Sequence, residues 1–306
     1  MKRSRRVHPR RPSAFICLML LPAILLGGCA QQTRVPLKRL PVIPLQQQIS
    51  EVNTVARRIH TLRLTGELTI HYFNHHNQPQ SLSLHGVLLL KRLGSGTENS
   101  GSSRRRVEAL LLTTYLGQNA MELGVNRHGY WLINHQKNIA YIGALDSRGQ
   151  TPPGVLPLNP AELPALLGFA TLPTNGLTIR TVVPGADHTR LLVLGYEDGR
   201  LTVRRQITLS RYTGRIDQVT LFGPGSRAEA ICHLKRYPLI APDALEAVGT
   251  PVDQLICRQF SITVPERRIR IEFDVHHVQS KLPAKARFIF RRPSLRGDTV
   301  HVIAAK

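Results

Sequence analysis

At residue 61 the hydrophobic period of this chain changes from about 3.6 to 2, and it stays near 2 through most of the remaining sequence. The stretch TLRLTGELTIHYF sets Leu62, Leu64, Leu68, Ile70 and Tyr72 on one side, with Arg63, Thr65, Glu67, Thr69 and His71 on the other. Successive strand side chains point to opposite faces, so this is an antiparallel strand with one face packed and one wet. SLSLHGVLLLKR repeats the pattern with Leu82, Leu84, Leu88 and Leu90. VEALLLTTYL, AMELGVN, YWLINHQ and NIAYIGA come next, separated by turns such as NRHG and NHQKN. After an interruption come TRLLVLGYE, RLTVRRQITLSR, RIDQVTLFG, AEAICHLKRYPLI, ERRIRIEFDVHHVQ and ARFIFRRP. About eleven strands with no alternation of βαβ units predict a mainly β (α+β) domain, an antiparallel sheet curled around itself.

Two helices are expected to accompany the sheet. Over residues 46–60, Ile49, Val52, Val55 and Ile59 recur at helical spacing, giving an amphipathic opening helix. Between residues 144 and 175, Pro152, Pro153 and Pro157 mark a loop, and NPAELPALLGFA then offers Asn159 as N-cap, Pro160 at the first helical position and Glu162 at N3. Residues 94–103, GSGTENSGSS, are a low-complexity loop that no core would hold.

The N-terminus has a different logic. MKRSRRVHPRR carries six Lys/Arg and no acid, and residues 14–26 are apolar except for Pro22, a run too short to cross a bilayer and suited to an export signal. Leu26-Gly27-Gly28-Cys29 resembles the bacterial lipobox, in which the cysteine thiol is diacylated, the signal is cut before it and the new N-terminus is acylated. Three acyl chains at roughly 0.8 kcal/mol per buried CH₂ hold a protein on a membrane permanently. The expected organisation is therefore a signal peptide over 1–28, a lipid-anchored flexible tether with three prolines over 29–45, and one domain over 46–306.

Of 41 Lys/Arg against 19 Asp/Glu, six basic residues leave with the signal, so 35 remain against the same 19. Such a field draws polyanions, which for a membrane-tethered export are anionic headgroups or cell-wall polymers, and a plain solvated basic face has the same composition. No RNA-recognition, zinc-finger or helix-turn-helix signature accompanies the charge, so nucleic acid is set aside. Of four cysteines, Cys17 is removed and Cys29 acylated. Cys232 and Cys257 remain, either as a disulfide worth roughly 3 kcal/mol in an oxidising compartment or as two small buried hydrophobes.

Sites of chemistry are sparse. His75-His76 lies in a polar turn, and His276-His277 on a strand cannot both ligate one ion without a bulge, so no metal is expected. There is no Gly-x-Ser-x-Gly elbow, His-Glu-x-x-His helix, Cys-x-x-Cys pair or phosphate-cradling loop, and Asp187-His188 alone defines no geometry. No enzyme activity, catalytic residue or cofactor is expected.

Three stretches resemble the LolA/LolB lipoprotein-carrier superfamily. HGVLLLKR is similar to the carrier strand that leads into a Lys-Arg pair, here Lys91 and Arg92, followed by Leu93 where proline is usual. LGVNRHGYWLINHQKNIAYIG is similar to the hairpin bearing an aromatic on each strand, here Trp131 and Tyr141. ITLSRYTGRIDQVTLFG is similar to the paired late strands, and VNTVARRIHTLRLTGEL to the opening of lipid-anchored relatives from planctomycete-type bacteria.

The resemblance implies a highly curved antiparallel half-barrel covered by helices, with an apolar concavity for acyl chains. Lining residues are then Leu64, Leu68, Ile70, Leu88, Leu90, Trp131 and Ile133 from strands, with Leu163, Leu166, Leu167 and Phe169 from the helical lid. It implies that Arg92 contacts that lid. It further implies a monomer bound to the membrane through acylated Cys29, handling lipoprotein acyl chains or lipids, with a periplasmic carrier protein as partner. Ala30, which is not the aspartate of an inner-membrane retention signal, points to the outer membrane, facing the periplasm. Two other uses of such a fold stay open: a sensory or regulatory module of the RseB type, and an envelope-structural lipoprotein whose cavity is filled by side chains.

Overall fold

The computed structural model describes residues 38–93, 107–145, 159–174, 177–183, 186–197, 199–239, 249–282, 290–295 and 299–303. The expected signal peptide, Cys29, most of the expected tether and the expected 94–103 loop lie outside the described residues.

The compact unit Arg39–Lys306 is built on one sheet. A first meander comprises β1 (Thr61–Phe73), β2 (Pro79–Arg92), β3 (Val107–Tyr115), β4 (Gln118–Asn126), β5 (Gly129–Asn134) and β6 (Ile139–Gly143). A second comprises β7 (Thr178–Val182), β8 (His188–Glu197), β9 (Arg200–Ser210), β10 (Ile216–Phe222), β11 (Ala228–Lys235), β12 (Gln259–Val264) and β13 (Ile269–Gln279). They join where β1 pairs antiparallel with β13. β14 (Thr299–Ile303) adds to β6 as the one parallel pairing among the described residues, so the order runs β14-β6-β5-β4-β3-β2-β1-β13-β12-β11-β10-β9-β8-β7. The sheet is curved and does not close, which leaves β14 and β7 as its edges.

These fourteen strands exceed the expected eleven, for local reasons. QFSITV of β12 is buried on both faces and shows no alternation. β7 and β14 are five-residue edge strands with too few positions to establish a period. The expected strand ARFIFRRP begins on residues outside those described, and Phe290 within it sits in a turn.

α1 (Leu45–Arg58) is the expected opening helix; Ile49, Val52, Asn53 and Ala56 are buried, and Arg57 and Arg58 sit in its last turn, where cations suit the helix dipole. The central helix starts as a 3₁₀ turn at Pro160–Glu162, capped by Asn159 Oδ1 accepting from Ala161 N–H at 2.9 Å, and continues as α2 (Leu163–Leu166). A further short helix, α3 (Val252–Leu255), precedes β12.

Cross-strand register assigns the two faces. Leu64, Leu88, Leu111, Leu123, Leu132 and Tyr141 are successive partners from β1 to β6, and Leu84, Leu68, Phe273, Phe260 and Leu234 form a parallel row across the junction of the meanders. Both rows belong to the main core cluster, which also includes Ile49 and Val52 of α1 and Leu163, Leu166 and Leu167 of the central segment. That face is the concave one, under the helices. The next row, Leu89, Leu110, Gly124 and Trp131, points the other way and builds a separate small cluster with Ile133, Ala140 and Phe290.

Candidate functional site

The segment over 163–172 lies across the concave face as a lid, and polar side chains hold it by its backbone. Asn53, buried in α1, donates to Leu172 O at 3.0 Å and accepts from Leu172 N–H at 2.6 Å. Arg92, at the end of β2, donates from Nη2 to Ala56 O at 2.7 Å and to Phe169 O at 2.8 Å, so one guanidinium bridges the end of α1 to the lid. From the second meander, buried Arg205 of β9 donates to Thr171 O at 3.3 Å. Its pKa is pulled below the ordinary arginine value by burial, which the charge of Glu162 partly offsets. Arg58 donates to Thr250 O at 2.6 Å, tying α1 to the segment before α3.

Beneath these ties are two hollows. The larger, about 340 Å³, lies between α1, the lid and the β9–β10 side of the sheet, with Val52, Phe169, Leu209, Leu234, Ile256 and Phe260 in its wall. At that volume it enters the range of small-molecule sites, about 300–1,000 Å³. The smaller, about 110 Å³, is almost wholly apolar and is lined by Leu68, Ile70, Leu88, Leu111, Leu163 and Phe273 among others. Leu167 and Phe260 line both and form the wall between them.

No protein-family model and no curated protein matches the sequence. Solved structures do. A domain from Vibrio parahaemolyticus named for outer membrane lipoprotein sorting aligns over 80% of this chain and 98% of its own, with 10% identity and a TM-score of 0.51. A DUF1329 family protein from Desulfovibrio piger aligns over 82% and 98%, with 11% identity and a TM-score of 0.52. A LolA superfamily protein from Nitrosomonas europaea aligns over 82% and 99% at 8% identity and a TM-score of 0.46. The fold is LolA/LolB-like.

Within this LolA/LolB-like half-barrel the expected lining residues divide into three groups. Leu68, Ile70, Leu88 and Leu163 face the smaller hollow, Phe169 the larger, and Leu167 both. Leu64, Leu90 and Leu166 belong to the same core but pack solidly beside the hollows and line neither. Trp131 and Ile133 require correction, since both point to the opposite face. β5 is buried on both sides, so alternation does not say which parity is concave, and cross-strand pairing makes it Tyr130 and Leu132. Trp131 instead lies across Gly124, where an added Cβ would sit 2.1 Å from the indole ring, and donates from Nε1 to Glu122 at 2.7 Å.

Cys232 and Cys257 are free thiols, both buried, which is the second of the two alternatives. Burial pushes both pKa values well above the ordinary thiol range, and at Cys257 the neighbouring Cys232 adds to the rise. A β-bulge opposite Thr65 and Gly66 leaves His276 and His277 both exposed, yet no cluster of three metal-ligating side chains occurs among the described residues.

The larger hollow holds what sequence reasoning missed. Residues 40–43, read as tether, line it; Leu40 N–H donates to Arg211 O, and Arg180 donates to Ile43 O. Proline removes donors from this segment without removing carbonyls, and arginines answer those carbonyls. Arg215, from the RYTGR turn, also lines the hollow and is only 7% exposed. An arginine in a glycine turn looks solvated in sequence, and no local signal marks this one as internal.

Proposed function

We propose that this protein binds acyl chains in the hollow concave face of its half-barrel, as a lipid-anchored envelope protein in lipoprotein or lipid transport at the outer membrane. The observation that carries this reading is the 340 Å³ hollow with apolar walls beneath a lid held at Asn53, Arg92 and Arg205. An envelope-structural protein would have filled that space with side chains, because voids in a packed core cost stability. The Vibrio structure's name, lipoprotein sorting, supports the same direction. Cys29 is the proposed acylation site and membrane anchor, Ala30 after it favours the outer membrane, and a periplasmic carrier is the proposed source or recipient of cargo. The activity is binding, without catalysis.

The test is purification in mild detergent followed by mass spectrometry of co-purifying lipids. Stoichiometric acyl ligand is expected from the wild-type protein and its loss from Phe169→Glu, which puts a carboxylate into the larger hollow. Folded wild-type protein that retains no lipid, together with unchanged lipoprotein localisation in a deletion strain, overturns the proposal. Cys29→Ser is expected to move the protein from the membrane to the soluble fraction.

A further inference from the structure

The wall of the larger hollow is mostly apolar, and it contains a buried cation, Arg215, that meets no anion among the described residues. Arg215, between β9 and β10, is 7% exposed, and neither of its terminal nitrogens, Nη1 or Nη2, has a hydrogen-bond partner among the described residues. Its guanidinium carbon lies over the face of Tyr237, 4.8 Å from the ring centroid, and Tyr237 is itself fixed by donating its hydroxyl to Ile216 O at 2.9 Å. The other arginines on this face have work: Arg92 and Arg205 hold the lid, and Arg211 donates to Ala186 O and Leu40 O. The acidic residue in the lining, Glu51, accepts from Gln47 at the exposed side of α1. A buried guanidinium without an anion costs stability, and its planar fork matches carboxylate and phosphate groups bidentately.

We propose that Arg215 receives the anionic head of an amphiphile, a carboxylate or phosphate group, whose acyl chain fills the larger hollow. The inference rests on the acyl-binding function proposed for this face and narrows it. An acylated cysteine presents neutral ester and amide carbonyls, which accept hydrogen bonds but leave the buried charge of Arg215 unneutralised. A fatty acid or a phosphate-headed lipid supplies the missing partner at the position where the apolar wall begins. Val52, Leu209, Ile216 and Ile256 then take the first methylenes, and Phe260 and Leu167 close the far wall.

Isothermal titration of the full chain, stripped of lipid, tests this with palmitic acid, hexadecyl phosphate, hexadecanol and inorganic phosphate. The wild type is expected to bind the two charged amphiphiles about 10- to 100-fold more tightly than hexadecanol, the size of a charge-assisted hydrogen bond. In Arg215→Met that ratio falls toward one. In Arg215→Lys it lies between, because a point charge replaces a fork. Melting of ligand-free Arg215→Met at or above the wild-type temperature, as removal of an unpaired buried cation dictates, shows that the changed ratio comes from a folded protein. Equal binding of palmitic acid and hexadecanol by the wild type, or a ratio that survives Arg215→Met, overturns the head-group assignment and leaves acyl binding standing. Inorganic phosphate binding as tightly as hexadecyl phosphate overturns the amphiphile in favour of a free anion. If none of the long-chain compounds binds, acyl binding falls and the head-group assignment with it.

Discussion

Arg92 carries more structure than its position at the end of a strand suggests. Its guanidinium reaches Ala56 O and Phe169 O at once, and charged donors to carbonyls contribute more than neutral ones. Arg92→Met is expected to cost about 2–3 kcal/mol in urea unfolding and to speed amide exchange over residues 163–172. Arg92→Lys restores little, since a single ammonium does not span both carbonyls. The tie was legible through a resemblance to known carriers, whereas Arg215, a more deeply buried guanidinium, was not, because depth is a property of the curved sheet and its covering helices and not of the RYTGR turn. The thiols of Cys232 and Cys257 give a second prediction at this scale. Both are held neutral by burial, so above the ordinary thiol pKa of about 8.5 the unfolded chain releases protons that the folded one keeps. Their contribution is therefore complete below that pH and is lost as pH rises above it. Between pH 8 and 10 the urea midpoint of the wild type is expected to fall more steeply than that of the Cys232→Ala, Cys257→Ala double variant, with Tyr237, raised by burial, adding to the slope in both. Unreacted thiols after iodoacetamide treatment of native protein at pH 8 are expected for the same reason.

At the scale of elements the fold turns on the junction of β1 with β13, where two meanders become one sheet. Hairpins β1–β2 and β8–β9 bring sequence neighbours together, and their alternation and turns were readable in the amino-acid order itself. The β1–β13 pairing joins segments about 200 residues apart, and no local pattern encodes it. Its register turns on Gly66. The ladder shifts between Thr65 and Gly66, and a Cβ at Gly66 would lie 1.9 Å from Asp274 O, a backbone atom with nowhere to go. Gly66→Ala is thus expected to destabilise toward or beyond the upper end of the about 1–3 kcal/mol seen for overpacking. Gly117→Ala, in the open β3–β4 turn where no atom lies within 4 Å, carries only the strain of its positive φ. Thermal melts of the two variants separate a blocked junction from a strained turn. The parity of β5 illustrates the same limit, since four consecutive buried residues, Tyr130 to Ile133, leave the choice of face to partners on β4 and β6.

For the whole molecule, the two hollows behave as one interrupted groove. Sequence patterns identified the residues that face inward, yet a cavity consists of what those residues fail to fill, and that depends on how far α1 and the lid stand from the sheet. Leu64, Leu90 and Leu166 share the face of Leu68 and Leu88, and only the latter pair borders empty space. Leu167 and Phe260 separate the 340 Å³ hollow from the 110 Å³ one, so trimming Leu167 joins them without touching the lid ties at Asn53, Arg92 and Arg205. Each further methylene buried is worth roughly 0.8 kcal/mol, so four more carbons entering the second hollow add about 3 kcal/mol, on the order of a hundredfold in affinity. Leu167→Ala is expected to cost about 2–5 kcal/mol of ligand-free stability, as other buried leucines do. In return its affinity should keep rising from sixteen- to twenty-carbon chains, where the wild type levels off. Titration with saturated fatty acids of increasing length reads this directly. A wild-type affinity that already climbs through twenty carbons means that Leu167 is no barrier and that the chain passes between the hollows as they stand.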